Sequence, residues 1–364
     1  MAFTKAAWLH KANTPLEVSE APLPTAGPDE IVIRNTAVAI NPLDWHIQKA
    51  GVFVQQWPTV FGCDVAGEVF EVGSNAQGRF KVGDRVIGYS ITSHPLASLL
   101  TSNRHTIGLI TGRPQDGAFA LYTTVPANKA AILPDNIPFT DGAVVPMALE
   151  AAICALCVAT PGTALPGVPT PALGLPYPSL EPVSLGKTLV VYGGSSSAGS
   201  MTIQIATAIG LTVIAIASPA NIDLSKTCGA VDVFDYRDEK VVEKVVNAVR
   251  NTKNEFVGIF DAISTGETYP NDLAILSELG GGHLACTHPP PTENVPDNVK
   301  AGMIFCVNDV ATPVWEGFVT PALKSEKLLC LPQKLVVGKG LEKIQQALEM
   351  SEAGVSATKL VVEL

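Results

Sequence analysis

The sequence predicts an α/β protein built from a doubly wound parallel sheet and a second, β-rich domain. Three observations predict it. Between residues 187 and 286, short apolar runs alternate with helical stretches, the pattern of a parallel sheet covered on both faces. Residues 1–155 instead carry apolar runs cut at short intervals by Pro and Gly. Finally, an apolar strand runs into the turn Gly193-Gly194-Ser195-Ser196-Ser197-Ala198-Gly199 and then into an apolar helix.

In the first part, residues 31–40 form a strand, 66–72 alternate as a second, and 83–89 follow a turn as a third. Residues 143–159 are the longest apolar region. Pro146 and Glu150 interrupt it and it is short for a bilayer, so it reads as a core helix. Residues 160–187 hold Pro161, Pro166, Pro169, Pro171, Pro176, Pro178 and Pro182, which makes them an irregular surface excursion. Strands follow at 189–192, 212–217, 231–234, 256–261 and 283–286, with helices at 199–210, 222–228, 238–251 and 267–279. A short strand near 302–306 forms the sheet edge. Polar Asn308 and Asp309 follow it, which favours a monomer over a dimer paired through that edge. The tail reads strand, helix (341–351) and strand (360–363). The expected domains are 1–155 with 325–364, and 156–324 including the excursion.

Of the 364 residues, 47% are hydrophobic and 16% charged, a composition with ample core material. Lys and Arg number 24 against 34 Asp and Glu, a net charge of −10, which disfavours nucleic acid or an anionic membrane as partner. The seven cysteines are scattered, and the first residues lack a secretory apolar segment. Reduced thiols in a cytoplasmic protein are the expectation.

The glycine–serine turn is where chemistry enters. Backbone N–H groups at a helix N-terminus attract anions, and glycines let the main chain approach a phosphate closely. The pattern has serines where the common dinucleotide fingerprint has its middle glycine, and an ordinary strand-to-helix turn is the alternative. The next strand ends in Ser218-Pro219-Ala220-Asn221, without the acidic residue that bonds the ribose hydroxyls of NAD. A 2′-phosphate would meet no repulsion there. Ser218, Asn221 and Lys226, with Tyr236 and Arg237 after the third strand, favour NADPH. Plain solvated charge is the alternative for Lys226 and Arg237, and Asp223 is a counter-signal.

Three segments carry a family resemblance: Asn41-Pro42-Leu43-Asp44; Pro58-x-x-x-Gly62-x-Asp64-x-Ala66-Gly67-x-Val69-x-x-Val72-Gly73; and Val82-Gly83-Asp84-Arg85-Val86. They resemble the medium-chain dehydrogenase/reductase superfamily, from about residue 5 to the C-terminus. The Gly-Gly-Ser-Ser turn, the Ser-Pro-x-Asn strand end, Phe234-Asp235-Tyr236-Arg237 and the proline-rich excursion bring it near its fungal zinc-free enoyl reductases, including those acting in trans on polyketide synthases. The resemblance implies a GroES-like catalytic domain closed by the tail and a Rossmann domain. Zinc alcohol dehydrogenases of the superfamily have Cys where Asn41 stands and Gly-His-Glu where Gly62-Cys63-Asp64 stands; their third ligand would fall near Pro146-Met147. Residues 90–115 also lack the four cysteines of a structural-zinc lobe, so no metal is expected.

Without a Lewis acid, hydride addition to a C=C bond conjugated with a carbonyl remains feasible, because the carbonyl delocalises the developing charge. The expected activity is therefore NADPH-dependent enoyl reduction of a small-molecule or carrier-bound acyl substrate, with a polyketide synthase as the partner the resemblance implies. Reduction of free enones or quinones, and non-catalytic NADP(H) binding, are the alternatives.

By resemblance, Leu43, Asp44 and His46 lie near the nicotinamide, Asp44 and His46 being the catalytic candidates. Asp44 either orients neighbouring groups or caps the next helix from a loop. His46, where trans-acting relatives often carry Lys, either donates near the ribose and relays a proton or bonds local backbone. The turn argument puts Gly194, Ser195, Ser196, Ser197 and Ala198 on the pyrophosphate. Ile263 follows Asp261 at a switch point of the sheet, and Val336 and Val337 resemble a segment that reaches the cofactor. Pro146, Met147, Ala148, Leu149, Glu150 and Ala151, with Thr287, His288 and Pro289, are the expected substrate lining. Cys154-x-x-Cys157 has redox spacing but lies in an apolar helix, which reads as core.

Overall fold

A computed structural model describes residues 2–91, 113–160, 162–165 and 168–364. In chain order the first part holds β1 (Phe3–Trp8), β2 (Glu17–Pro22), β3 (Glu30–Ala39), α1 (Pro42–Ala50), β4 (Asp64–Val72), β5 (Arg85–Tyr89), β6 (Tyr122–Pro126), β7 (Ala130–Ile132), α2 (Phe139–Gly142) and α3 (Pro146–Leu156). The middle holds β8 (Thr163–Leu165), β9 (Val168–Pro169), β10 (Lys187–Tyr192), α4 (Ser197–Ile209), β11 (Thr212–Ala217), α5 (Ile222–Thr227), β12 (Asp232–Asp235), α6 (Val241–Thr252), β13 (Glu255–Asp261), α7 (Tyr269–Glu278), β14 (Gly282–Cys286) and β15 (Val299–Met303). The remainder is α8 (Thr312–Gly317), α9 (Val319–Lys324), β16 (Gln333–Lys339), α10 (Lys343–Ala353) and β17 (Thr358–Glu363). The chain forms two compact units: residues 1–147, 307–324 and 333–364, and residues 148–306 with 325–332.

The first unit is built on a seven-stranded sheet, ordered β16-β17-β3-β4-β5-β7 with β6 also on β3. β3 is its spine. Ile31, Ile33 and Val38 from β3 are buried in one core with Val65 and Val69 of β4 and with Leu360 and Val362 of β17. The tail thus returns to this sheet: Val361 pairs with Ala39 and Glu363 with Ala37.

The second unit is a six-stranded parallel sheet ordered β12-β11-β10-β13-β14-β15. The reversal between β10 and β13 is the topological switch point at which such sheets bind ligands. Strands β10 and β11 are buried almost throughout, as central parallel strands must be. Helix α6 shows the complementary pattern: Val241, Val245, Val246 and Val249, spaced at helical period, are its buried face.

Two expectations change. Helix α6 starts at Val241 rather than 238, because the Asp238 carboxylate accepts from Lys240 N–H (2.9 Å) in a turn ahead of it. The edge strand is β15, Val299–Met303, rather than residues near 302–306. Its register with β14 is fixed by Gly282↔Val299 through Cys286↔Met303, and Lys300, Ala301 and Gly302 hide it from an apolar-run reading. Most of the segment considered for a structural-zinc lobe lies outside the described residues, as do Pro161 and Pro166. The run Phe139–Leu156 is long and apolar enough to cross a membrane, but 83% of it is buried inside the protein.

Candidate functional site

In the second unit the glycine–serine turn joins β10 to α4. Gly193 has φ +74°, and a Cβ there would lie 2.7 Å from the Ile263 side chain. Gly199 is packed against the Gly193 carbonyl, which would lie 2.1 Å from any added Cβ. These two contacts require glycine and fold the turn tightly over the head of α4. Ser196 is the N-cap; its Oγ accepts from Gly199 N–H at 3.0 Å. Ser197 is the first helical residue. Its Oγ is buried and has no hydrogen-bond partner. Ser195 Oγ accepts from Asn221 Nδ2 at 3.3 Å.

Register places the other nucleotide candidates beside this turn. Tyr192 pairs with Ile216, and Ala217 with Asp235. Gly193 and its serines, Ser218, and Tyr236 therefore leave the C-terminal ends of three adjacent strands. Arg237 stacks on Tyr236, 5.1 Å from the ring centre, and donates to its hydroxyl at 3.0 Å. Lys226 is exposed in the last turn of α5, and no hydrogen bond or ion pair holds it among the described residues. No acidic side chain stands at the end of β11.

Asp261, at the end of β13, organises the loop that carries Ile263. Its Oδ1 accepts from Ile263 N–H (2.8 Å) and its Oδ2 from Thr268 Oγ1 (2.5 Å). Ser264 Oγ donates to the Asp261 carbonyl and accepts from Thr287 N–H, both tightly (2.6 and 2.8 Å). Ile263 and Thr287 are thereby brought to one loop system. Thr287 Oγ1 faces His288 Nδ1 at 3.4 Å, and the Pro289 carbonyl accepts from Tyr269 (2.7 Å).

In the first unit Leu43, Asp44 and His46 sit within α1, not in a loop ahead of a helix. Asn41 is the N-cap, Pro42 starts the helix, and Asp44 at its third position reaches back to accept from Asn41 N–H at 2.7 Å. The His46 ring lies 3.5 Å from that of Trp45. Leu43, Asp44, Phe61, Cys63 and Ser90 line a cavity of about 20 Å³, room for about one water. Val336 and Val337 lie on β16, where Val336 pairs with Val361.

Behind α1 lies a polar network that sequence reasoning missed. Lys359, on β17, is only 3% exposed, and its ammonium is 3.0 Å from the fully buried Asp64. It also donates to Asn41 Oδ1. Asp64 accepts further bonds from Asn41 Nδ2 (2.9 Å) and Met147 N–H (2.7 Å). Asp64 also faces the Cys63 thiol at 4.0 Å and so has four donors, whereas neighbouring Asp44 has its bond to Asn41 N–H. Burial, with the Asp64 charge added, pushes the Asp44 carboxyl up from 3.8 to about 7, against the opposing pull of Asn41 N–H and Lys359. Burial and both carboxylates also push the Cys63 thiol well up. Among the described residues, no group of three His, Cys, Asp or Glu side chains is placed to hold a metal ion.

Of the expected substrate lining, Pro146 and Met147 belong to the first unit and residues 148–151 to the second. Met147 alone of these six keeps partial exposure. Cys154 and Cys157 are free and buried, and burial pushes the Cys157 thiol up to about 12.

Comparison with known proteins fits this architecture. Residues 27–135 match the family described as alcohol dehydrogenase GroES-like domain, and residues 198–301 the one described as zinc-binding dehydrogenase. The chain is 64% identical to the dehydrogenase orsE of Emericella nidulans over the whole of both chains. It is 36% identical to the trans-enoyl reductase himH of Aspergillus japonicus, covering 99% of this chain and 97% of the relative. Among solved structures, an alcohol dehydrogenase superfamily protein from Novosphingobium aromaticivorans superposes with a TM-score of 0.73 at 20% identity, over 99% of each chain. The chain belongs to the medium-chain dehydrogenase/reductase superfamily, a family of oxidoreductases, and is related to its fungal trans-enoyl reductases.

Proposed function

We propose that this protein is an NADPH-dependent, zinc-independent reductase of a C=C bond conjugated with a carbonyl. The observation that carries the reading is the buried, unpartnered Ser197 Oγ at the head of α4. A buried hydroxyl without a partner costs free energy unless a ligand completes it. Ser197 is the first residue of α4, where helix N-terminal N–H groups favour an anion, and a pyrophosphate oxygen is the ligand we assign to it. Gly194, Ser195, Ser196, Ser197 and Ala198 would hold that group. Ser218, Asn221, Lys226 and Tyr236, the last backed by Arg237, would take the 2′-phosphate, since β11 ends without a carboxylate to repel it. On the nicotinamide side we assign Ile263 in the second unit, and Leu43, Asp44, His46, Val336 and Val337 in the first. Met147 with its neighbours 146 and 148–151, and Thr287, His288 and Pro289, are assigned to substrate.

Bound coenzyme would supply hydride to the β-carbon of the substrate. His46 or solvent would then give the α-carbon its proton. A zinc ion, which the family description invites, fits this donor set poorly. Asn41 offers an amide in place of a thiolate, Cys63 is held as a thiol, and Asp64 is already occupied by the Lys359 ammonium. The trans-enoyl reductase relatives make a carrier-bound acyl chain the favoured substrate and a polyketide synthase the favoured partner. Mixing the protein with NADPH and an enoyl thioester should consume the reduced-nicotinamide absorbance. Turnover of free enones or quinones alone would move the assignment to small molecules. Tight NADPH binding with no turnover on any of these would contradict a catalytic role.

A further inference from the structure

The loop that carries Ile263 rests on a buried carboxyl that the reading above does not use. Asp272, in the first turn of α7, has no exposed surface, and neither of its oxygens has a donor within reach. Its neighbour is Asp261, equally buried. The titratable groups around the pair are Tyr192 on β10, Tyr269 on α7 and Cys286 on β14. None can be cationic, and among the described residues no salt bridge reaches either carboxyl. Each oxygen of Asp261 accepts one hydrogen bond, from Ile263 N–H and from Thr268 Oγ1, and keeps a lone pair for a further donor, so Asp261 is the accepting partner of the pair. Two carboxylates buried together without a cation cannot both be charged.

We propose that Asp272 is a positioning residue: it holds one proton and donates it to Asp261, so that Asp261 keeps the 261–268 loop, and with it Ile263 and Thr287, in place. Burial, reinforced by the Asp261 charge, holds the Asp272 carboxyl well above the ordinary range, in the direction the geometry demands. Burial pushes Tyr192, Tyr269 and Cys286 up as well, so these three are neutral at neutral pH and bring no charge to the pair. The consequence for coenzyme rests on the assignment of Ile263 made above. The proton itself does not, and its test needs no coenzyme.

The test follows amide exchange at Ile263 and Thr287 by NMR in the full chain, together with the infrared band of protonated carboxyls. Wild type should show a protonated carboxyl at about pH 7 that Asp272→Asn removes. Asp272→Asn supplies an N–H where the acid O–H stood. It should keep both amides protected and should hold that protection at alkaline pH, where wild type loses it. Asp272→Ala should lower protection at Ile263 and Thr287 by about tenfold, the scale of one lost buried hydrogen bond. The proposal is overturned if no protonated carboxyl disappears in Asp272→Asn, or if wild type and Asp272→Asn lose amide protection in parallel as pH rises. The infrared and Asp272→Asn readouts decide the matter even if Asp272→Ala does not fold.

Discussion

The two units solve the same electrostatic problem differently. Each buries a pair of carboxyl groups beside a segment that carries proposed coenzyme contacts, α1 in the first unit and the 261–268 loop in the second. In the first unit, Asp64 and Asp44 share the neighbourhood of one ammonium, Lys359. In the second, Asp261 and Asp272 have no cation near them. A lysine neutralises a carboxylate at every pH at which proteins fold, whereas a shared proton does so only until it leaves. The first arrangement is therefore a permanent brace across β17, β4 and the Asn41 turn. The second is a pH-dependent one at the switch point of the parallel sheet.

The largest effect should come from removing the permanent cation. Lys359→Met leaves Asp64 charged, buried and short of a donor, and should cost about 3–5 kcal/mol in urea unfolding. Lys359→Arg should recover part of that; equal losses for the two would mean that shape, not charge, matters here.

Next comes the pH dependence of the second unit. The folded state holds the Asp272 proton more tightly than the unfolded chain does, so stability is greatest at low pH and falls as pH rises above the ordinary carboxyl range. Asp272→Asn should flatten that fall in thermal unfolding at stepped pH. A steeper fall in the variant would break the comparison. Asp44 obeys the same sign over a narrower window, from 3.8 to about 7. Asp44→Asn should remove its share of the slope there and cost about 1 kcal/mol as a weakened capping box.

The smallest stability effect belongs to the turn. Ser197→Ala deletes an unpartnered buried hydroxyl, so unfolding should shift by under about 0.5 kcal/mol. Its NADPH dissociation constant should nevertheless rise by about ten- to a hundredfold, the scale of one hydrogen bond to a charged group. An unchanged affinity would place the phosphate elsewhere.

Much of this was legible in the residues. The strands of the parallel sheet show because buried strands must be apolar throughout, and the serine turn shows because only glycine permits its close contacts. Helix α1 was also written locally: Asn41, Pro42 and Asp44 are a cap, a first-turn proline and a capping acid at the right spacing, a signal passed over in favour of a loop. The braces were not legible. Lys359 stands just ahead of the tail strand read at 360–363 and reads as a solvated residue, while its partner Asn41 is 318 positions away. Asp272 reads as an ordinary first-turn acid. Burial of a charge is decided by tertiary packing, which no local pattern carries.

The central claim is that the turn from Gly193 to Gly199, with Ser218, Asn221 and Tyr236 beside it, receives a nucleotide bearing a 2′-phosphate. Calorimetric titration of NADPH and NADH into the same protein tests it most directly. The account predicts saturable binding, with NADPH tighter than NADH by at least about tenfold, one to two charge-assisted hydrogen bonds' worth. Binding of neither, or a preference for NADH, would contradict it.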